Sequence, residues 1–313
     1  MSSPRRLRVA YLGNDAWSVP PLEAVAESSH EVVSVVTRVP GPGRRGRDAV
    51  PTPVAVAARG IGLPLAEVDT VRSGRGLDTL AAAKPDVLAV VAYGEILPRS
   101  VLDLASLAPV NLHFSLLPAL RGASPVRTAL LRGLDETGVT TILMDEGLDT
   151  GDVLGRAREP ILPEDDAGTL GERLARLGGR ILVETLDKLS AGSVEPVPQD
   201  AAAATYAPKL TARDRRLDWT APGESLVRVV RAFAPEPGAT TMFRGSPLKI
   251  VRAHASGASG SPGEIVEVAR DSFSVAAGVG ALRVVELAPA GRVRMSAAAF
   301  VNGFHPEPGE RLT

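Results

Sequence analysis

The chain has 313 residues, of which 44% are hydrophobic, and a formal net charge of −1. This length and composition favour a globular protein of two domains. The absence of cysteine excludes disulfides, thiolate nucleophiles and cysteine metal sites, and it fits a reducing cytoplasm. The apolar stretch 9–12 after the first arginines is too short for a signal sequence or a membrane span. We therefore expect a cytoplasmic protein with no membrane partner.

The first half of the chain alternates short apolar runs rich in β-branched residues with segments of helical pattern. The runs that predict strands are 7–12, 32–37, 87–92, 110–114 and 139–145. The segments that predict helices are 22–26, 54–58, 96–104, 125–132 and a longer closing helix over 170–189. Such alternation is typical of a parallel, doubly wound α/β sheet. Its ligand is expected beyond the carboxyl ends of the strands.

The pattern changes after the closing helix. Residues 192–207 lack periodicity and contain prolines and an alanine run, which indicates a linker. Beyond it a helix over 224–234 is followed by short strands with frequent turn signals, at 239–243, 248–252, 263–268, 272–276 and 282–287. Short strands so closely spaced favour a small antiparallel barrel, with an oligonucleotide-binding-like barrel as one candidate. We therefore predict an α/β domain over 1–190, a linker over 191–208 and a β-barrel domain over 209–313.

Basic and acidic residues are distributed unevenly between the two halves of the chain. From Lys209 onward there are 14 Lys and Arg against 10 Asp and Glu, and before it 21 against 26. The second half is thus mildly basic. This excess favours contact with RNA only slightly over an ordinary solvated surface.

Three polar residues are placed for acyl transfer. Asn111 and His113 lie two residues apart on a predicted strand, so their side chains share a face. Asp149 follows the next strand in a turn flanked by glycines and can reach the same edge. Together they offer hydrogen-bond donors for a developing oxyanion and a base for an attacking amine. Taken singly, each residue is more often structural, as a buried histidine, a capping asparagine or a turn aspartate.

The longer string of residues is more specific than the three polar side chains. Asn111-x-His113-x-Ser115-Leu116-Leu117-Pro118-x-x-Arg121-Gly122-Ala123, with Leu148-Asp149-x-Gly151 after it, resembles the folate-dependent formyltransferases. The resemblance also covers 91–98, which looks like the folate-side loop of the family, and in the second half the strings 205–210, 218–219, 231–233 and 289–291. Short members that act on a free ribonucleotide amine share the first half only.

The resemblance implies a fold, an activity and a set of residue roles. The fold would be a Rossmann-like domain joined by a linker to an oligonucleotide-binding-like barrel. The reaction would move the formyl group of 10-formyltetrahydrofolate to the amine of initiator methionyl-tRNA. Asn111 would bind the formyl oxygen, His113 would stabilise the oxyanion, and Asp149 would position His113 and help to remove the amine proton. The folate site would include Ser115, Leu116, Leu117 and Pro118, together with Tyr93 and Gly94. No metal would be needed.

Basic residues supply the expected tRNA contacts. Arg44, Arg45 and Arg47 lie in a Gly- and Pro-rich stretch after the second predicted strand, at the edge where an acceptor stem would arrive. Lys209, directly after the linker, is the next candidate for a phosphate contact. A solvated loop is the competing interpretation of the arginines.

The chain departs from the family pattern at three places. Gly13-Asn14-Asp15-Ala16-Trp17 replaces Gly-Thr-Pro-x-Phe, residues 38–41 replace Gln-Pro-Asp-Arg, and Glu236 replaces a common Trp. The remaining histidines, His30, His254 and His305, are expected at the surface, and the protein is expected to be a monomer.

Other functions stay open at this point. A formyltransferase for an amino sugar nucleotide or another small amine would share the site, and so would a hydrolase that releases formate from the folate. A dinucleotide-dependent oxidoreductase is disfavoured because only Gly13 remains of the glycine-rich fingerprint. A non-catalytic RNA-binding module would have no use for Asn111, His113 and Asp149 together.

Overall fold

The computed structural model describes residues 5–41 and 50–313. It divides into two compact units. Unit 1 consists of Met1–Pro125, Glu136–Pro160 and Gly171–Pro208, and unit 2 of Val126–Asp135, Ile161–Leu170 and Lys209–Thr313. Two short segments of the predicted first domain therefore group with the second unit. The division into 1–190, 191–208 and 209–313 stays a prediction. None of the helices in the described ranges is long and apolar enough to cross a membrane.

Unit 1 contains a seven-stranded sheet in the order β3-β2-β1-β4-β5-β6-β7. Its strands are β1 (Arg8–Gly13), β2 (Glu31–Arg38), β3 (Leu65–Val68), β4 (Val87–Val91), β5 (Ala108–His113), β6 (Glu136–Leu143) and β7 (Val153–Pro160). From β3 to β5 in this order, the neighbouring strands pair parallel. β6 pairs antiparallel with both β5 and β7. The Rossmann-like prediction is confirmed, with an antiparallel edge in place of a continued parallel pattern, as is common in mixed sheets.

The helices of the first half are α1 (Val19–Glu27), α2 (Pro53–Gly60), α3 (Gly74–Ala83), α4 (Arg99–Leu102), α5 (Pro125–Arg132) and α6 (Ala167–Ala191). Local sequence explains where several of them begin. Thr52 caps α2 by accepting from Ala55 N at 3.0 Å, and Pro53 follows at the first helical position, where its missing N–H costs nothing. α1 likewise carries proline in its first turn.

The centre of the sheet is buried on both faces. Every residue of β4 is buried, and β1 is buried after its first residue. Strands covered on both faces are expected to be continuous apolar runs, and these two are. Asn111 and His113 lie next to these strands, in the carboxyl-terminal half of β5.

Unit 2 is built on β8 (Ala239–Phe243), β9 (Ser246–Ser256), β10 (Ile265–Val268), β11 (Phe273–Ala276), β12 (Ala281–Pro289) and β13 (Met295–Ser296), with α7 (Gly223–Phe233) and α8 (Ala297–Phe304). The antiparallel sheet has the order β10-β11-β12-β9-β8, and β13 pairs with β12. The last residues of the chain bond to both edges, because Ile265 N donates to Glu310 O at 2.7 Å and Met242 N donates to Thr313 O at 2.8 Å. This segment closes the sheet, which confirms the predicted barrel.

The core of unit 2 is aromatic and aliphatic. Phe300 of α8 lies 5.5 Å from Phe273 and 5.4 Å from Phe243 between ring centroids. Leu226 and Val230, one turn apart on α7, are buried in the same cluster. α8 was not predicted, because the sequence 297–304 follows β13 without a loop signal.

His30 is buried, with 4% of its surface exposed, so the expectation of a surface residue was wrong. Its Nδ1 accepts from Leu7 N at 3.4 Å, at the start of the sheet, and its Nε2 lies 3.3 Å from Asp187 Oδ1 on α6. His254 is half-buried and His305 is exposed. The apolar surroundings of His30 come from packing of the sheet against α6, which the isolated dipeptide Ser29-His30 does not reveal.

Burial lowers the pKa of His30 below 6.5, and the carboxylate of Asp187 opposes this to a smaller extent. The unfolded chain therefore binds the proton more strongly, and the stability due to neutral His30 is present above about pH 6.5 and lost as the pH falls below it. We expect the native protein to lose more unfolding free energy than His30→Gln when the pH is lowered through this range. Urea titrations at both ends of the range measure this, with His305→Gln as the exposed control. Equal losses in all three proteins would contradict it.

Candidate active site

A cavity of about 450 Å³ opens at the carboxyl ends of β4 and β5 in unit 1. The residues that border it come from β4, β5 and β6 and from the four loops that follow β1, β4, β5 and β6. They are Asp15, Val90, 92–97, 111–114, Gly122, Ala123, Pro125, Ile142, Met144, Asp145 and 147–149. Small-molecule sites in proteins have this size and lie at this edge of α/β sheets. The cavity therefore stands where the sequence predicts a ligand.

His113 and Asp149 meet inside this cavity. His113 Nδ1 lies 3.6 Å from Asp149 Oδ2, and both side chains are largely buried. The other ring nitrogen, Nε2, lies 2.9 Å from Leu120 O. Because a carbonyl oxygen only accepts, Nε2 carries a proton in this arrangement. Both ring nitrogens thus face an acceptor, which fixes the plane of the imidazole.

The turn that carries Asp149 is held in an uncommon conformation. Asp149 has a φ of 55°, in the left-handed region that aspartate tolerates better than most residues. Its Oδ2 accepts from Gly122 N at 2.8 Å. Asp145 closes the turn from the other side by accepting from Gly147 N at 2.9 Å. A side chain at Gly151 would clash with Leu143 O, since its Cβ would come within 1.7 Å of that oxygen.

Asn111 points into the same cavity from β5, two residues before His113. Its Oδ1 is buried, and among the described residues it has no hydrogen-bond partner. Leaving a buried polar atom unpaired costs about 1–3 kcal/mol. An amide kept in this state at a cavity wall is suited to a ligand that supplies the missing partner.

Tyr93 and Gly94 border the cavity, in the loop after β4. Burial raises the pKa of Tyr93 to about 12, with a further contribution from the nearby charge of Glu95. The phenol therefore stays neutral at physiological pH. Its hydroxyl is buried and lacks a protein partner in the part of the chain that the structure describes. Like Asn111 Oδ1, the hydroxyl is a buried polar atom that no protein group in this part of the chain satisfies.

The departure at Asn14 has a structural role. Asn14 Nδ2 donates to Tyr93 O, and its Oδ1 accepts from Arg38 N at 2.8 Å and from Thr37 Oγ1 at 2.9 Å. One amide thus joins the ends of β1 and β2 to the cavity loop. The neighbouring Asp15 borders the cavity, and burial raises its pKa.

The segment 115–118 does not border the cavity, among the residues that the structure describes. Ser115 Oγ donates to Ala119 O at 2.6 Å, and Leu117 N donates to Thr140 Oγ1 at 3.1 Å. The side chain of Leu116 packs against Gly138 of β6. These contacts shape the turn that brings Leu120 O to His113. A direct folate contact from Ser115, Leu116, Leu117 or Pro118 stays a prediction.

No predicted tRNA-binding residue is among the described residues that border the cavity. Arg44, Arg45 and Arg47 lie outside the described residues. Lys209 is exposed and belongs to unit 2. Glu236, where the family commonly has Trp, is exposed and its carboxylate lies 3.2 Å from Lys249 Nζ. Within the described ranges no group of three or more His, Cys, Asp or Glu side chains could hold a metal ion.

Arg121 and Gln199 complete the site and were not predicted to take part in it. Arg121 is 5% exposed, and its guanidinium donates to Gln199 Oε1 at 2.7 and 3.1 Å. Gln199 Nε2 donates to Asp149 O at 2.9 Å. The one indication in the sequence is that Arg121 lies inside the motif. A buried arginine needs a hydrogen-bonding or charged partner, which here is Gln199.

Comparison with known proteins defines the class. The formyl transferase family matches residues 7–186, and the formyl transferase C-terminal domain matches residues 209–305. This chain therefore belongs to the formyl transferase family.

Particular relatives extend over almost the whole chain. The methionyl-tRNA formyltransferase of Geobacter sulfurreducens is 41% identical, over 98% of this chain and 96% of the relative. The methionyl-tRNA formyltransferase of Roseiflexus sp. is 44% identical, over 98% and 95%. Among solved structures, HypX from Aquifex aeolicus in complex with tetrahydrofolic acid has a TM-score of 0.69 at 19% identity, over 98% of this chain and 49% of HypX. That last likeness is one of fold.

Proposed function

We propose that this chain transfers the formyl group of 10-formyltetrahydrofolate to the amino group of initiator methionyl-tRNA, giving N-formylmethionyl-tRNA. The observation that carries the proposal is the meeting of Asn111, His113 and Asp149 at one cavity, in a chain that has both domains of the formyl transferase family. Relatives named for this reaction, similar over 98% of the chain, support methionyl-tRNA as the acceptor.

The cavity fits a folate. Its volume of about 450 Å³ lies within the range of cofactor sites, which is about 300–1,000 Å³. Apolar walls at Ile96, Leu97 and Leu112 accompany the unpaired polar groups of Asn111 and Tyr93. The donor supplies a formyl group that is already activated on a folate nitrogen. The chain's own residues then have to orient that group and manage charge and protons.

Asn111 and His113 act on the formyl oxygen. The oxygen gains negative charge as the amine attacks, and hydrogen-bond donors fixed at that place stabilise the transition state more than the ground state. Asn111, at the wall of the cavity, would donate from its amide nitrogen to this oxygen. His113, two residues further along β5, would stabilise the oxygen through positive charge on its ring, because Nε2 is used on Leu120 O and Nδ1 faces Asp149.

Asp149 acts on the histidine and on the amine. Its carboxylate balances a positive charge on His113 at 3.6 Å. Oδ2 takes both this contact and the hydrogen bond from Gly122 N, so Oδ1 remains as an acceptor at the cavity. The attacking amine has to lose protons, and a carboxylate at this place would receive them directly or through water. One of these protons would go to the folate nitrogen as its bond to the formyl carbon breaks and tetrahydrofolate leaves.

A competition assay separates this proposal from its alternatives. Purified protein with the folate donor is offered methionyl-tRNA or a nucleotide-linked amino sugar, and kcat/KM is measured for each amine. We expect transfer to methionyl-tRNA to be strongly preferred. A preference for the amino sugar would assign a small-amine formyltransferase. RNA binding without any formyl product would assign a non-catalytic module, and formate release alone would assign a hydrolase.

Arg44, Arg45, Arg47 and Lys209 are proposed as phosphate contacts of the tRNA. Replacing the three arginines together by alanine is expected to raise the KM for tRNA and to flatten its salt dependence. Each lost contact reduces the log–log slope by roughly 0.9 for a duplex, by analogy with DNA. The control carries three exposed arginines changed to alanine elsewhere in unit 1, at Arg72, Arg75 and Arg180. Equal slopes in the two triple variants would leave 38–50 as a solvated loop.

We also propose that the protein is cytoplasmic and monomeric. The parts 1–190, 191–208 and 209–313 would act as catalytic domain, linker and tRNA-contacting domain. Translation initiation takes place in the cytoplasm, which is where the acceptor is found. Unit 2 would contact the tRNA through its barrel, and its mildly basic charge supports this.

A further inference from the structure

The side chain of Gln199 joins two parts of the candidate active site. Its Oε1 accepts both hydrogen bonds from the Arg121 guanidinium, at 2.7 and 3.1 Å. Its Nε2 donates to the backbone oxygens of Asp149 at 2.9 Å and of Gly151 at 2.7 Å. Every hydrogen-bonding group of the amide is thus used, on Arg121 at one end and on the turn that carries Asp149 at the other. All of these residues belong to unit 1.

The segment that carries Gln199 is fixed to the turn after β5. Arg121 N donates to Thr205 O at 2.8 Å, and Ala207 N donates to Arg121 O at 2.7 Å. The hydroxyl of Thr205 accepts from Leu120 N at 2.9 Å. Leu120 is the residue whose carbonyl faces His113 Nε2. Residues of the predicted linker are therefore hydrogen-bonded to the turn whose carbonyl faces the histidine.

The hydrogen bonds of Gln199 also constrain the backbone around Asp149. Gly122 N donates to Asp149 Oδ2, and Gly122 directly follows Arg121, so the two ends of the network are tied to each other. Asp149 has a positive φ. The hydrogen bonds of its own side chain contribute little to keeping the backbone in that conformation. The two bonds from Gln199 Nε2 hold the carbonyls on either side of Thr150. Without them the carboxylate can move away from His113.

We infer that Gln199, a residue of the predicted linker after α6, is a positioning residue that holds Asp149 at His113. The inference rests on the proposed formyl transfer at this site. Only an amide satisfies the geometry, because one end has to accept from a guanidinium while the other donates to two carbonyls. A carboxylate keeps the first function and loses the second.

Gln199→Glu is therefore the informative variant. It keeps an acceptor for the buried Arg121, so that the arginine is not left unpaired, but it removes both donors to the Asp149 turn. We expect kcat at saturating substrates to fall about ten- to hundredfold, the size of effect usual for displacement or loss of a supporting partner. The KM for tRNA should stay nearly unchanged. Ala203→Glu, which adds the same charge at an exposed position of the same segment, should retain native kcat.

A double-mutant cycle with Asp149→Asn tests whether Gln199 acts through Asp149. If it does, adding Gln199→Glu to Asp149→Asn changes kcat by less than about twofold, because the carboxylate that it positions is already gone. Independent, multiplying losses would overturn the inference. Native kcat in a folded Gln199→Glu protein would overturn it as well.

A readout without substrates separates this inference from the proposed function. The ¹⁵N chemical shifts of the His113 ring report its protonation and hydrogen bonds, and the His113→Gln variant assigns them among the four histidines. Gln199→Glu should move them in the same direction as Asp149→Asn, while Ala203→Glu leaves them in place. Unchanged shifts in Gln199→Glu would overturn the positioning role. A native protein that transfers no formyl group would instead overturn the proposed function, and the shifts would still decide the role of Gln199.

Discussion

Replacing Asp149 by asparagine is expected to lower formyl transfer by about two to four orders of magnitude, the range usual for a positioned acid–base group. Asparagine keeps the size of the side chain and an oxygen that can accept from Gly122 N, and it tolerates the left-handed conformation of this position. The charge next to His113 is lost, and with it the acceptor for the amine proton. Fold and donor binding should both survive.

Single-turnover transfer with saturating donor and tRNA measures this loss, and a thermal melt checks the fold. Asp145→Asn is the matched control, because Asp145 lies in the same turn and accepts from Gly147 N and from Thr150 Oγ1 at 2.7 Å without facing His113. If Asp149 only shapes the turn, both variants will turn over at nearly the native rate. That result would leave Asn111 and His113 as the only catalytic residues.

Asn111→Ala and His113→Ala are each expected to lower kcat by about a hundredfold or more, since loss of one oxyanion donor costs ~3 kcal/mol. The effect falls on kcat because the negative charge on the formyl oxygen appears only in the transition state. The dissociation constant of the folate donor should stay close to native. Asn302→Ala and His305→Ala, the same changes at exposed positions of unit 2, serve as controls.

Rapid-quench kinetics and equilibrium binding of the donor give the two quantities separately. Weaker donor binding with an unchanged rate would turn both residues into binding groups. Equal losses in the control variants would point to general damage.

The parts of the fold that could be predicted are those whose burial is imposed by the sheet. β1 after its first residue and β4 are continuous buried runs, and the period of two along β5 places Asn111 and His113 on the same face. β7 was missed because it alternates exposed charges with half-buried residues, as an antiparallel strand with one open face does. β3, with four residues, is too short to produce a pattern.

The supporting contacts of the site could not be predicted, because they depend on residues distant in sequence. Gln199 lies in a stretch without periodicity, since its hydrogen bonds go to turns of unit 1 rather than to a ladder or a helix. The motif Ser115–Pro118 predicts a folate contact by resemblance, whereas in the structure its polar groups bond to Ala119 and Thr140. Sequence resemblance identifies which residues matter and leaves open whether they touch the ligand or hold the residue that does.

Transfer of a labelled formyl group tests the central claim most directly. The protein is incubated with 10-formyltetrahydrofolate labelled at the formyl carbon and with initiator methionyl-tRNA, and the amino acid is analysed after deacylation. The account predicts that the label is recovered as N-formylmethionine from the native protein and is nearly absent with Asp149→Asn over the same time. Unformylated methionine from the native protein, with the label left on the folate or released as formate, would contradict it.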